Sequence, residues 1–130
     1  MGILKLKEND AKQILIIDDE KAVTDTYEEF LVDSSYSIQI TNSPQNAWQK
    51  LEKQSFDLII TDLHMPHLGG EELLKIIRKN EKHRGVPVII ASGNCNKLHE
   101  SQAKRDPSLH LIKKPFQKEE FLKKIVSILK

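Results

Sequence analysis

Asp18, Asp19, Asp62, Ser92 and Lys114 are the residues of this chain best placed to do chemistry together, because each stands where an apolar run stops. "ILII" (Ile14 to Ile17) runs into Asp18, Asp19 and Glu20, and "DLIIT" ends at Asp62. "VPVIIAS" ends at Ser92, and "LHLIK" is followed by Lys114 and Pro115. Three carboxylates held close together cannot all stay ionised without a counterion. A hard divalent cation with oxygen ligands removes that conflict, and Mg²⁺ suits a site that keeps waters and awaits a phosphoryl oxygen. Lys114 adds a point charge opposite. A carboxylate in such a setting can be a nucleophile toward a phosphoryl group, giving an aspartyl-phosphate. Cation and lysine would neutralise charge developing on the transferring oxygens, and Ser92 would donate a hydrogen bond to the product.

The elements that must bring these residues together can be read from periodicity. The apolar runs at 14–17, 57–61 and 86–92 are short and β-branched, as expected of strands buried on both faces. "YSIQIT" and "LHLIK" complete five strands. Between them, Lys21 to Val32 repeats its apolar positions (Ala22, Val23, Tyr27, Phe30, Leu31) at a helical period. Ser43 followed by Pro44 reads as a helix cap and first helical position, with Ala47, Trp48 and Leu51 as the apolar side. "EELLKIIRKN" carries acids early and bases late, as the helix dipole prefers. A weak helix over Lys97 to Arg105 and a last one over Gln117 to Lys130 follow, the latter expected to bury Phe121, Leu122, Ile125, Val126 and Leu129. Strands alternating with helices five times predict an α/β fold with a doubly wound parallel sheet in a single domain. Such sheets bind ligands at the carboxyl ends of their strands, where the strand order reverses.

Bulk properties exclude several classes. The 130 residues suffice for one domain with a real core and are too few for two ordinary ones. The net charge of +1 argues against a general basic field for nucleic acid. A single cysteine, Cys95, rules out an internal disulfide framework and fits a reducing, cytoplasmic setting. No apolar run approaches the ~20 residues of a membrane helix, and "MGILKLKEND" is too short and charged for a signal peptide. The five histidines lack zinc-like spacing and read as surface or loop residues.

The motifs "LIIDDE", "DLIITDLHMPHLGGEEL", "PVIIASG" and "KKPF", in this order and spacing, resemble the receiver domain of two-component response regulators. The resemblance divides the chain into an N-terminal extension, residues 1–11, and a receiver domain, residues 12–130. It implies a five-stranded flavodoxin-like (βα)5 fold. It implies phosphorylation of Asp62 by a histidine kinase or phosphotransfer protein, with Mg²⁺ held by Asp19, Asp62 and the backbone carbonyl of His64, and by Asp18 mostly through water. Ser92 and Lys114 match the family's switch hydroxyl and phosphate-contacting lysine. His64 and Asn94 fall where the family tunes the phosphoryl lifetime. Signalling to a downstream protein target by docking follows, with no direct nucleic acid or membrane partner and no enzymatic turnover beyond the domain's own phosphorylation and dephosphorylation.

The departures are equally specific. Leu111 occupies the position of the family's switch aromatic, and His110 beside it should point to the opposite face. That puts the aromatic form of readout in question without touching phosphorylation itself. Pro107 and "NCNKLHESQ" make the fourth helix short and polar, which favours a monomer over the phosphorylation-linked dimers of the family. Two other readings stand beside the switch. One is a degenerate receiver acting as a phosphorylation-independent interaction module. The other is an enzyme or flavin carrier on the same fold, disfavoured because "DDEKA" would repel a phosphate and no Asp-x-Asp follows the first strand.

Overall fold

Five strands and five helices alternate in the computed structural model, which describes residues 11–66, 68–93 and 97–130. They are β1 (Gln13–Ile17), α1 (Lys21–Leu31), β2 (Ser37–Thr41), α2 (Pro44–Lys53), β3 (Leu58–Asp62), α3 (Gly70–Lys79), β4 (Val88–Ser92), α4 (Lys97–Arg105), β5 (Leu109–Lys113) and α5 (Lys118–Leu129). All neighbouring strands pair parallel, in the order β2-β1-β3-β4-β5. The chain steps from β1 to one side and then returns to the other, so the order reverses between β1 and β3.

The apolar strand sequences dictate two cores. Successive side chains of a strand face opposite sides. Leu15 and Ile17 of β1 join Ala47 and Leu51 of α2 and Leu73, Leu74 and Ile77 of α3. Ile14 and Ile16 join Tyr27 and Leu31 of α1 and Phe121 and Ile125 of α5. A strand fed into two cores needs apolar residues at every position, which explains why β1, β3 and β4 show no polar alternation. Polar groups are thereby driven to the strand ends.

Local signals fix the helix ends. The Ser43 hydroxyl accepts from the Asn46 N–H, and Pro44 opens α2. Glu71 and Glu72 lie in the first turn of α3, with Arg78 and Lys79 in its last. Arg78 also braces the sheet's far rim, donating to Asp106 Oδ2 at 2.7 Å and to the Val86 carbonyl at 2.7 Å.

Several side chains lie elsewhere than periodicity suggested. Val126 is 52% exposed rather than buried, because it sits about 100° around α5 from the inward-facing Ile125. Leu122 and Leu129 are half-buried. His83 and His99 are buried, not surface residues: the His83 Nε2–H donates to the Leu51 carbonyl at 2.7 Å, and His99 pairs with Glu71, joining α4 to the first turn of α3. His110 is half-buried in β5. His67 and Cys95 lie outside the described residues.

Gly70 allows α3 to start against the end of β3. A Cβ there would lie 2.4 Å from the Asp62 carbonyl oxygen and 3.2 Å from Leu63 Cα, while the Gly70 N–H donates to the Leu63 carbonyl at 2.9 Å. Replacing glycine in a helix usually stabilises by up to about 1 kcal/mol. Here the obstacle is backbone, and such overpacking costs about 1–3 kcal/mol. Gly70→Ala is therefore expected to destabilise by roughly 1–2 kcal/mol in urea denaturation, and an unchanged or raised midpoint would contradict the close approach.

Candidate functional site

Register alone brings the first two acids together. Ile17 pairs with Thr61 across β1 and β3, so the next residues along the strands, Asp18 and Asp62, face each other at the point of strand-order reversal. Asp18 is fully buried and Asp62 is 8% exposed. Two carboxylates this close and this dry need a positive partner. Lys114 supplies it from across the sheet. Its Nζ donates to Asp18 Oδ2 at 3.0 Å and to Asp62 Oδ1 at 3.0 Å. β5 is separated from β1 by β3 and β4, so only a long, flexible side chain spans the gap. Its backbone is tied to the neighbouring strand, where the Lys114 N–H donates to the Ser92 carbonyl at 2.9 Å. The Lys114–Pro115 peptide is cis.

Asp18 is held further by its neighbours. Its Oδ1 accepts from the Glu20 N–H at 3.0 Å, and its backbone N–H donates to the Thr41 carbonyl at 3.2 Å. The Asn42 side-chain amide donates to the Asp18 carbonyl at 2.7 Å and to the Thr24 hydroxyl at 3.2 Å. Asp19 and Glu20 are exposed, and one carboxylate oxygen from each of Asp18, Asp19 and Glu20 can be chosen so that all lie within 4.8 Å of one another. The charge conflict of "DDE" is thus met in two ways. Asp18 finds a counterion within the protein, while Asp19 and Glu20 stay at the solvent edge.

Of the remaining candidates, Ser92 is buried at the end of β4, and its backbone carbonyl receives the Lys114 N–H. His64 is exposed in the loop after β3. Leu111 packs against the core on the α3 side together with Ala103 of α4. His110 has the opposite orientation, as β-strand alternation requires. Burial lowers its basicity, Lys124 of α5 lowers it further, and Asp106 acts the other way. Asn94 lies outside the described residues.

Three contributors were not legible in the sequence as site residues: Asn42, Thr24 and Gly70. Asn42 stands in "TNSP" beside a helix cap, and nothing local distinguishes a side chain that caps from one that reaches back to another strand's end.

Burial acts against the Lys114 ammonium, but hydrogen bonds to Asp18 and Asp62 outweigh it and hold its pKa above the ordinary lysine value. A proton bound more tightly in the folded state stabilises that state fully below the unfolded lysine pKa of about 10.4. The contribution is lost as pH rises through the higher folded value. Lys114→Met should therefore lower the unfolding free energy at neutral pH by about 1–3 kcal/mol, since it leaves two adjacent acids without a partner. The difference between wild type and variant should shrink as pH climbs past about 10.4. Denaturation midpoints of both proteins across pH check this, and a gap that is absent or widens at high pH contradicts it.

Comparison with known proteins agrees with this geometry. The family model described as the response regulator receiver domain matches residues 14–126. The chain is 30% identical over 120 residues to the 3',5'-cyclic-nucleotide phosphodiesterase regA of Dictyostelium discoideum, covering 90% of this chain and 15% of that protein. It is 30% identical over 118 residues to the response regulator ArlR of Staphylococcus aureus, covering 91% and 52%. The chain thus spans only part of the length of these curated relatives. Among solved structures, the chemotaxis protein CheY4 of Vibrio cholerae superposes with a TM-score of 0.83 at 24% identity, covering 92% of this chain and 99% of that one. With the parallel sheet in the order β2-β1-β3-β4-β5 and the acids and lysine at its carboxyl rim, the chain belongs to the response regulator receiver domain family.

Proposed function

We propose that this receiver domain is a phosphorylation-dependent switch in which Asp62 is the phosphoacceptor. The observation that carries the reading is the Lys114 ammonium, 3.0 Å from both Asp62 and Asp18 at the mouth of the sheet. A carboxylate oxygen of Asp62 attacks the phosphorus of a phosphohistidine on a histidine kinase or phosphotransfer protein. The P–O bond forms as the P–N bond breaks, and the imidazole keeps the electron pair and takes a proton. Reversal to the resting state is attack by water at phosphorus, which returns the Asp62 carboxylate and inorganic phosphate. Lys114 already touches the attacking group, so its charge can follow the transferred oxygens with a small movement of its side chain. Ser92, buried at the neighbouring strand end, is the candidate hydrogen-bond donor to the phosphoryl group.

The oxygen-only donor set fits Mg²⁺, because one carboxylate oxygen from each of Asp18, Asp19 and Glu20 can be chosen so that all lie within 4.8 Å of one another, the first buried and the other two exposed. Asp18, Asp19, Asp62 and the backbone carbonyl of His64 are the groups assigned to hold it. When bound, the cation neutralises charge on the phosphoryl oxygens and on the acid cluster. Asp18, fixed by Lys114 and the Glu20 N–H, is the preorganised member, while Asp19 is free to approach from solvent.

Signalling then proceeds by docking to a downstream protein. Receiver domains interact with histidine kinases and downstream effectors, and no helix among the described residues is long and apolar enough to cross a membrane. A cytoplasmic, monomeric domain without nucleic acid contacts is the corresponding reading.

Intact mass after treatment with acetyl phosphate and Mg²⁺ tests the chemistry. One phosphoryl group should appear on wild type and none on Asp62→Asn. Uptake by both would move the acceptor elsewhere, and uptake by neither would favour a constitutive interaction module. Asp19→Asn should weaken Mg²⁺ binding about tenfold, equivalent to about 1.4 kcal/mol, and slow phosphorylation. An amide-shift titration with Mg²⁺ that matches wild type would remove Asp19 from the metal set.

A further inference from the structure

Tyr27 of α1 is 2% exposed, yet its hydroxyl is buried with no hydrogen-bond partner among the described residues. The ring itself is well held. It stacks on Phe116 at 5.8 Å and on Phe121 at 5.2 Å, and Phe30 packs edgewise against Phe116. A phenylalanine would keep this stacking. The added hydroxyl is a net cost to the fold while it lacks a partner. Such a group is most economically explained by a partner gained in another state of the protein.

Its surroundings indicate which state. Tyr27 and Lys114 line the same open groove of about 340 Å³, together with Val23, Pro115 and Phe116. Burial raises the phenol pKa most, and the fields of Asp18 and then Asp62 raise it further. The hydroxyl therefore stays protonated at any ordinary pH and feels both site acids. In the described state two of the three Lys114 N–H donors are used on Asp18 and Asp62. A phosphoryl group on Asp62 brings a charge of about −1.5 to −2 and several strong acceptors. Lys114 must then turn toward those oxygens, and Asp18, fully buried, loses the hydrogen bond it accepts from the ammonium.

We propose that Tyr27 is a positioning residue of the phosphoryl site, its hydroxyl a reserve hydrogen-bond donor that engages the Asp18 carboxylate when Lys114 turns to the phosphoryl group. This rests on the assignment of Asp62 as phosphoacceptor. Tyr27 acts on the acid that orders the site, and it touches neither the phosphorus nor the attacking oxygen. It gives α1 a polar connection to the site that its apolar periodicity does not reveal.

Tyr27→Phe tests this with beryllofluoride as the phosphoryl mimic and Mg²⁺ present. The variant should fold with unchanged or slightly raised stability, since it removes an unpartnered buried group. Its affinity for beryllofluoride should fall roughly three- to tenfold, the worth of one hydrogen bond. In wild type labelled with ¹³Cζ-tyrosine, one of the two tyrosine signals should shift on beryllofluoride addition, with Tyr36→Phe assigning it to Tyr27. Wild-type affinity in Tyr27→Phe together with a static Tyr27 signal overturns the inference and leaves the phosphoacceptor assignment intact. Failure of wild type to bind the mimic overturns both.

Discussion

One lysine ammonium between two buried carboxylates is the interaction on which the site depends. Asp18 and Asp62 are forced together by strand register, not by choice of loop conformation. β1 and β3 are neighbours, and their apolar residues fill two cores, so the first charged residue along each strand emerges at the same rim. Like charges placed this way would repel strongly in a dry setting. The Lys114 Nζ, 3.0 Å from each, converts that repulsion into a three-centre contact. Its reach across β3 and β4 also explains why the fifth strand must end beside the fourth: the Lys114 N–H donates to the Ser92 carbonyl and sets the origin of the side chain. A residue from the far edge of the sheet thus becomes part of a centre built on the middle strands.

The acids are not equivalent. Asp18 is buried, bonded to Lys114 and to the Glu20 N–H, and its backbone is tied to Thr41 and Asn42. Asp19 and Glu20 remain exposed beside it. This split gives the rim a rigid inner acid and adaptable outer ones. A hydrated cation that dehydrates reluctantly is better served by such an edge than by a closed cage, because part of its water shell can be kept. Gly70 contributes from the other side by letting α3 start close to the Asp62 carbonyl, which keeps the loop after β3 short and near the acids.

Much of this was legible because the polar residues concerned sit at strand ends, where a buried sheet permits few other reasons for them. "IIDDE", "IITD" and "KKP" each mark an end, and parallel strands align such ends on one edge. The helix over Lys97 to Arg105 was found in full from a weak pattern, and Ser43 with Pro44 marked α2 correctly. What stayed hidden depends on contacts between elements distant in sequence. His83 and His99 looked like loop histidines, yet one caps a carbonyl of α2 and the other pairs with Glu71. Val126 continued an apolar pattern but lies past the edge of the buried stripe of α5. Asn42 could not be separated from an ordinary capping residue without knowing that β2 lies beside β1. Tyr27 read as a core aromatic, which its ring is, while its hydroxyl gave no signal at all.

The two faces of the sheet are unequally furnished for passing on a change at Lys114. On the α3 side, β5 presents Leu111, a branched aliphatic residue packed against the same core as Ala103 of α4. It has no ring to rotate between a buried and an exposed position and no polar group to exchange partners. On the α1 and α5 side, the residues just after Lys114 lead directly into aromatic packing: Phe116 stacks on Tyr27 and on Phe121 with centroids 5.8 and 5.3 Å away. Stacked rings transmit displacement because the interior is close-packed and resists small shifts. The Lys114 backbone is pinned to Ser92, so a change at its ammonium moves the side chain before it moves β5. The first groups to feel that motion are the two acids and the groove wall that Tyr27 and Phe116 share with Lys114. In this chain the polar and aromatic neighbours of the Lys114 ammonium are therefore concentrated against α1 and α5, and the face that carries Leu111 is the plainer of the two.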